Sequence, residues 1–266
     1  MSIWQLLTLA IVQGVTEFLP ISSSGHLILV PALTGWPDQG LAIDVAVHVG
    51  TLAAILVYFA RDAWGLARGG LSVVGVKATP TERRWFWWIA IGTVPAVAVG
   101  LAFKAFDVTD ALRSPTLVAS TLIGYGILLW IVDRWAPQRR SFEDLTLKDA
   151  VIVGVAQALA LIPGTSRSGV TMTAARLLGY TRVEAARFSF LLSIPAVTGA
   201  GLLVGLEVVD AGAAMQRDAL IAGGLTFLAA LAAMAFLMRW LRHASMAVFA
   251  VYRIALGLGL LAWVYL

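Results

Sequence analysis

Residues 13–26 read Gln-Gly-Val-Thr-Glu-Phe-Leu-Pro-Ile-Ser-Ser-Ser-Gly-His and interrupt an otherwise apolar run from Ile3 to Leu33. Gln13 and Glu17 are four residues apart, so a helix stacks them on one face. Pro20 ends that helix, because it lacks an N–H and drives its predecessor out of the helical region. Ser22, Ser23 and Ser24 then offer three hydroxyls and three backbone N–H groups where a second helix begins. Such a helix start is an anion site, with unpaired N–H groups and the positive dipole end turned toward the ligand. Gly25 permits close approach, and His26 adds a titratable ring within one turn. Placing a carboxylate, a hydroxyl cluster and a histidine inside an apolar segment is costly in lipid, which marks the stretch as functional.

The rest of the chain supplies the lipid context. Its 266 residues are 60% hydrophobic and 13% charged, against about a quarter charged in soluble domains, and the mean hydropathy is +0.87. One all-α polytopic membrane domain over residues 1–266 is expected. With no cysteine, a disulfide framework, a thiolate metal site and a Cys nucleophile are excluded. No basic run stands free as a nucleic-acid arm. Met1-Ser-Ile-Trp-Gln5 lacks a basic n-region, so no cleavable signal is expected. Trp36, Trp64, Trp85, Trp87, Trp88, Trp130 and Trp135 sit near segment ends, as in an interfacial aromatic belt.

A bilayer crossing takes about 20 apolar residues. Six stretches qualify: Asp44–Ala60, Phe86–Phe103, Thr116–Val132, Phe188–Val209, Ala219–Met238 and Met246–Leu266. Ile3–Leu33 and Leu147–Leu178 are each broken by Pro and a Ser/Gly cluster, and read as re-entrant helix hairpins. Non-helical backbone at membrane depth is tolerable only when buried in protein or lining a wet cavity. With six spans, Arg61, Arg68, Lys77, Arg83, Arg84, Arg134, Arg139, Arg140, Lys148, Arg182, Arg187, Arg239 and Arg242 fall on one face, and Lys104, Arg113 and Arg217 on the other. The positive-inside rule makes the first face cytoplasmic and puts both termini outside. Arg83–Arg84 and Arg139–Arg140 are expected to meet anionic headgroups, and the Gly199–Gly205 face to serve helix packing.

A shift of 144 residues lays Gln13 on Gln157, Ser22 on Ser166, Ser24 on Ser168, Gly25 on Gly169 and Gly35 on Gly179 without a gap. The halves, about 1–133 and 147–266, each hold one hairpin and three spans. An odd number of spans inverts the second half, so the hairpins enter from opposite faces and meet, as in inverted-repeat transporters. The second hairpin carries Pro163-Gly-Thr-Ser-Arg-Ser-Gly-Val-Thr171, with Arg167 where the first has Ser23. Two helix starts, a set of hydroxyls and one guanidinium then converge on a site suited to phosphate. Glu17 is the only acid there. It is expected to hold a divalent cation or act as a base; Mg²⁺ favours one or two carboxylates plus phosphate oxygens. His48, alone on an apolar helix, reads as structural, and His243 as solvated. Arg253 within the last span reads as held by an ion pair or by backbone carbonyls.

These two motifs resemble the signatures of the undecaprenyl-diphosphate phosphatases, the bacitracin-resistance family, and the Tyr252-Arg253 pair resembles it too. The resemblance implies hydrolysis of a polyprenyl diphosphate lipid to its monophosphate, recycling the carrier of peptidoglycan synthesis. Residence in the bacterial inner membrane is expected, with the site open to the outer face and a homodimer as a candidate assembly. By position, Glu17 matches the motif acid, Ser23 the proposed nucleophile, His26 the motif histidine and Arg167 the phosphate-binding arginine. Substrate contacts are expected from Gln13, Ser22, Ser24, Gly25, Gly164, Thr165, Ser166, Ser168 and Gly169. Mg²⁺ or Ca²⁺ is expected at Glu17. Gln13 departs from the glutamate many members carry. Attack by Ser23, its proton passing to Glu17 or His26, is the expected route, and a Glu17-activated water the mechanistic alternative. Two rival readings are a lipid-phosphate transporter, which needs an anion site without a nucleophile and base, and an intramembrane serine protease, for which no peptide-selective feature is present.

Overall fold

The computed structural model describes residues 1–108, 112, 114–210 and 212–266, with the side chains of all these except 28, 32, 33, 200 and 203–210. Two short helices come first, α1 (Ile3–Thr16) and α2 (Ser23–Thr34), followed by α3 (Leu41–Tyr58) and α4 (Ala60–Leu71). Next come α5 (Pro80–Ala105) and α6 (Pro115–Trp135), then a second short pair, α7 (Leu147–Leu159) and α8 (Arg167–Leu177). The chain closes with α9 (Arg182–Asp210), α10 (Ala213–Trp240) and α11 (Ala247–Tyr265). Among the described residues no strand forms beyond one isolated bridge between Arg140 and Tyr180. The all-helical expectation holds, and α3, α5, α6, α10 and α11 are long and apolar enough to cross a membrane.

Local chemistry sets the helix ends. Reciprocal capping boxes start α1 (Ser2 with Gln5), α5 (Thr79 with Glu82) and α7 (Thr146 with Asp149), satisfying N–H groups that the helix itself leaves unpaired. The box at Thr79, with Pro80 at the first helical position, starts α5 well before the expected Phe86. Hydropathy alone misses this turn because it is polar. For the same reason α4, with Arg61, Asp62 and Arg68 among its residues, does not stand out from its flanking loops in the sequence.

The short pairs occupy equivalent places in the packing. Helix α1 lies against α10 and α7 against α5, while α3 meets α9 and α6 meets α11. Contact is close where α7 crosses α5, since a Cβ built on Gly154 would stand 2.3 Å from the Gly92 carbonyl oxygen. On the glycine-rich face of α9, Gly201 meets Val49 but Gly199 meets open space, so only part of it packs; Gly205 lies outside the side chains described, and Arg113 outside the described residues.

At one end of the bundle, buried charges tie the connections together. The Asp133 carboxylate accepts from Arg182 Nε at 2.7 Å and from the Met246 N–H at 2.9 Å. Arg176, fully buried, donates to the carbonyls of Pro137 at 2.7 Å and Ala136 at 2.9 Å. Arg140 is not the headgroup ligand that its position suggested: it forks onto Asp149 at 3.0 and 2.5 Å and reaches the Leu178 carbonyl. Arg187 binds Asp62 through two nitrogens, at 2.9 and 2.8 Å.

The α5–α7 contact leaves no room for a methyl group. Gly154→Ala should lower stability by about 1–3 kcal/mol through overpacking, read as a fall in the thermal midpoint in detergent. Gly124→Ala, where a Cβ meets nothing within 4 Å, serves as the control and should leave the midpoint unchanged.

Candidate active site

The two short helix pairs bring their broken segments together. Glu17 Oε1 accepts from Arg167 Nη2 at 2.8 Å, across 150 residues of chain. Ser168 Oγ, one residue on, donates to the Leu19 carbonyl at 3.0 Å. The expected convergence of the two motifs is therefore realised as direct contact.

Each turn is built alike. Ser22 (φ 76°, ψ 92°) caps α2, its Oγ accepting from the Gly25 N–H at 3.4 Å. Ser166 (φ 70°, ψ 114°) caps α8, its Oγ accepting from the Gly169 N–H at 3.1 Å. Both cap hydroxyls also lie 3.3 Å from the hydroxyl two residues on, Ser24 and Ser168 respectively. A positive φ at a serine costs on the order of 1–3 kcal/mol and persists only where its surroundings enforce it. The result is that the residue after each cap, Ser23 in one turn and Arg167 in the other, is the first residue of its helix.

Glu17 sits at the centre and is 7% exposed. Its Oε2 accepts from Ser23 Oγ at 2.7 Å and from Gln13 Nε2 at 3.1 Å. The role of Gln13 follows from this, since a neutral donor steadies the carboxylate where a second acid would repel it. The group hydrogen-bonded to Ser23 is Glu17, while His26 makes its bonds elsewhere. His26 Nδ1 lies 2.7 Å from the Ser22 carbonyl, which can only accept, so Nδ1 carries the proton. Its Nε2 then accepts from Tyr252 Oη at 2.6 Å, with the two rings stacked at 5.7 Å. His26 thus braces the Ser22 turn against α11.

The remaining motif residues line the same junction. Ser22, Gly25, Gly164, Thr165, Ser166, Ser168 and Gly169 are buried, and Ser24 is exposed. Several polar atoms here have no hydrogen-bond partner among the described residues: Gln13 Oε1, Thr165 Oγ1, Arg167 Nη1 and both side-chain atoms of Gln157. Buried polar atoms are nearly always paired in a folded protein, so these atoms are open to a polar ligand or to water. Ser23 and Ser24 open onto a cavity of about 300 Å³ whose wall includes Asp38, Gln39, Asp44 and His48. Sequence reading missed this wall. The i, i+4 spacing of Asp44 and His48 was the available signal, but His48 looked like a solitary polar residue on an apolar helix.

Glu17 is already engaged by protein donors as the site is arranged. Three donors, one of them a guanidinium, already occupy its two oxygens. Among the described residues no three His, Asp or Glu side chains stand together to hold a cation.

Residues 6–259 match the family model described as bacitracin resistance protein BacA. The chain belongs to the BacA family. Among its relatives, the undecaprenyl-diphosphatase of Erythrobacter litoralis is 57% identical, covering 99% of this chain and 100% of that one. Those of Ruegeria pomeroyi and Hahella chejuensis are 49% and 48% identical, covering 100% of both chains and 98% of both chains respectively.

The Ser23–Glu17 contact generates the first functional test. Ser23→Ala should reduce turnover by at least about a thousandfold, the scale on which removal of a nucleophile acts. Diphosphate binding should survive, since the helix-start N–H groups remain. Substantial residual turnover would favour attack by a Glu17-activated water.

Proposed function

We propose that this chain hydrolyses undecaprenyl diphosphate to undecaprenyl phosphate and inorganic phosphate, recycling the lipid carrier of cell-wall synthesis. The names of its relatives support the substrate. The observation that carries the chemistry is the 2.7 Å hydrogen bond from Ser23 Oγ to Glu17 Oε2 beside Arg167. A hydroxyl held by a carboxylate, within reach of a guanidinium and two helix starts, has the parts of a phosphoryl-transfer site.

In the reaction, Ser23 Oγ attacks the terminal phosphorus and its proton passes to Glu17 Oε2. The bond from that phosphorus to the bridging oxygen breaks, and the prenyl monophosphate leaves. Arg167 keeps Nη2 on Glu17 and offers its unpartnered Nη1 to the phosphoryl oxygens. Glu17 then loses its proton to solvent, takes one from the attacking water and passes it to Ser23 Oγ as the phosphoserine is cleaved. Glu17 serves as base throughout, and no step passes through a metal. A Mg²⁺ or Ca²⁺ requirement remains part of the proposal only as a cation carried by the diphosphate oxygens themselves. The site needs no second copy, so the reaction is written for one chain.

The proposed topology has six spans, α9 being the sixth, with α1–α2 and α7–α8 as re-entrant hairpins of two inverted halves. Matched packing of α1 and α7, and matched geometry at Ser22 and Ser166, support it. Charge placement supports a site facing outward from the inner membrane. The names of the relatives given above do not point to transport, and the nucleophile–base pair is a feature that transport does not require.

Arg167 tests this reading. A guanidinium can serve Glu17 and a phosphoryl oxygen at once, whereas lysine offers a point charge. Phosphate release from undecaprenyl diphosphate should fall roughly ten- to a hundredfold in Arg167→Lys, the worth of one charge-assisted hydrogen bond. Near-normal turnover in a folded Arg167→Lys would remove Arg167 from phosphate recognition.

A further inference from the structure

Arg253 lies in α11, outside both motifs, and is fully buried. Its Nη2 donates to the carbonyls of Gly164 at 3.0 Å and Thr165 at 2.8 Å, and its Nη1 to the Pro20 carbonyl at 3.4 Å. One side chain therefore holds the turn of each short helix pair. The contact with α8 is equally tight, because a Cβ on Gly169 would stand 2.5 Å from Arg253 Nη1.

Holding carbonyls does not require a charge. A neutral amide could donate to two of them without the penalty of burying a cation, and buried charges are expensive unless paired. Among the described residues Arg253 has no acid partner, and its Nε makes no hydrogen bond. Arg167, by contrast, is neutralised by Glu17. The Glu17 and Arg167 charges cancel, and Arg253 stays as an unpaired positive charge behind the start of α8, while Asp38 and Asp44 line the adjoining cavity. We propose that Arg253 is a positioning residue of the phosphate site: its unneutralised charge, together with the helix starts it clamps, draws the terminal phosphate to Ser23. This inference rests on the diphosphate reading above.

The test separates charge from clamp. The full chain in detergent is compared with Arg253→Lys, which keeps the charge, and Arg253→Gln, which keeps donors without it. Two quantities are measured, the thermal midpoint and the binding of inorganic pyrophosphate by calorimetry, and neither depends on turnover. Both variants should melt lower than the parent. Pyrophosphate affinity should stay within about threefold in Arg253→Lys and fall by about tenfold or more in Arg253→Gln, as expected for removing a unit charge from a poorly screened site. Equal loss in both variants, or loss in neither, would make Arg253 a clamp alone and overturn the proposal. Should Arg253→Gln not accumulate, Arg253→Lys decides: a lower midpoint with retained affinity supports the proposal, and affinity lost along with stability overturns it. Parent protein that binds pyrophosphate but releases no phosphate from the prenyl diphosphate would overturn the proposed function and leave the role of Arg253 standing.

Discussion

The contact between Glu17 and Arg167 holds the rest of the site in place. A carboxylate and a guanidinium, both largely removed from water, are each expensive alone. Joining them makes the two broken segments obligatory partners, although 150 residues separate them. Once the segments meet, the other geometry follows. Glu17 has a second oxygen for Ser23, Gln13 steadies it, and Ser168 fastens the opposite turn at Leu19. The Ser22 and Ser166 turns are strained in the same sense, and Arg253 and His26 brace them from α11 and from within α2.

The same pair explains a division of labour. An arginine tied to the base cannot give its whole charge to a phosphate, but it can offer the nitrogen it leaves unpartnered. The remaining attraction must come from helix starts and from Arg253. Substrate affinity and base strength are thereby assigned to different groups, and binding a trianionic head need not strip the proton acceptor of its support.

Much of this was legible in the sequence because membrane-embedded polar residues are few and each needs a reason. Gln13, Glu17, Ser22 to Ser24 and Arg167 stood out against an apolar background, and the 144-residue shift pointed to their meeting. What hydropathy and spacing cannot carry is pairing. Nothing in the pattern says that Ser23 points at Glu17 while His26 turns to Tyr252, since both lie within one helical turn. Arg253 could be read only as a buried cation needing carbonyls or an acid; that those carbonyls belong to both motif turns is a fact of packing between distant segments. Polar helix ends were missed for a different reason. The start of α5 and the whole of α4 are held by capping and by the Arg187–Asp62 pair, not by apolar length.

Ser23, deprotonated by Glu17, must become covalently phosphorylated if the proposed chemistry is right. Acid quenching of the purified chain within its first turnovers on undecaprenyl diphosphate, followed by mass spectrometry of the peptide spanning residues 13–26, measures this directly. A phosphate on Ser23 that appears and decays with turnover is the expected result. A chain that turns over at full rate while Ser23 stays unmodified at every quench time would contradict it.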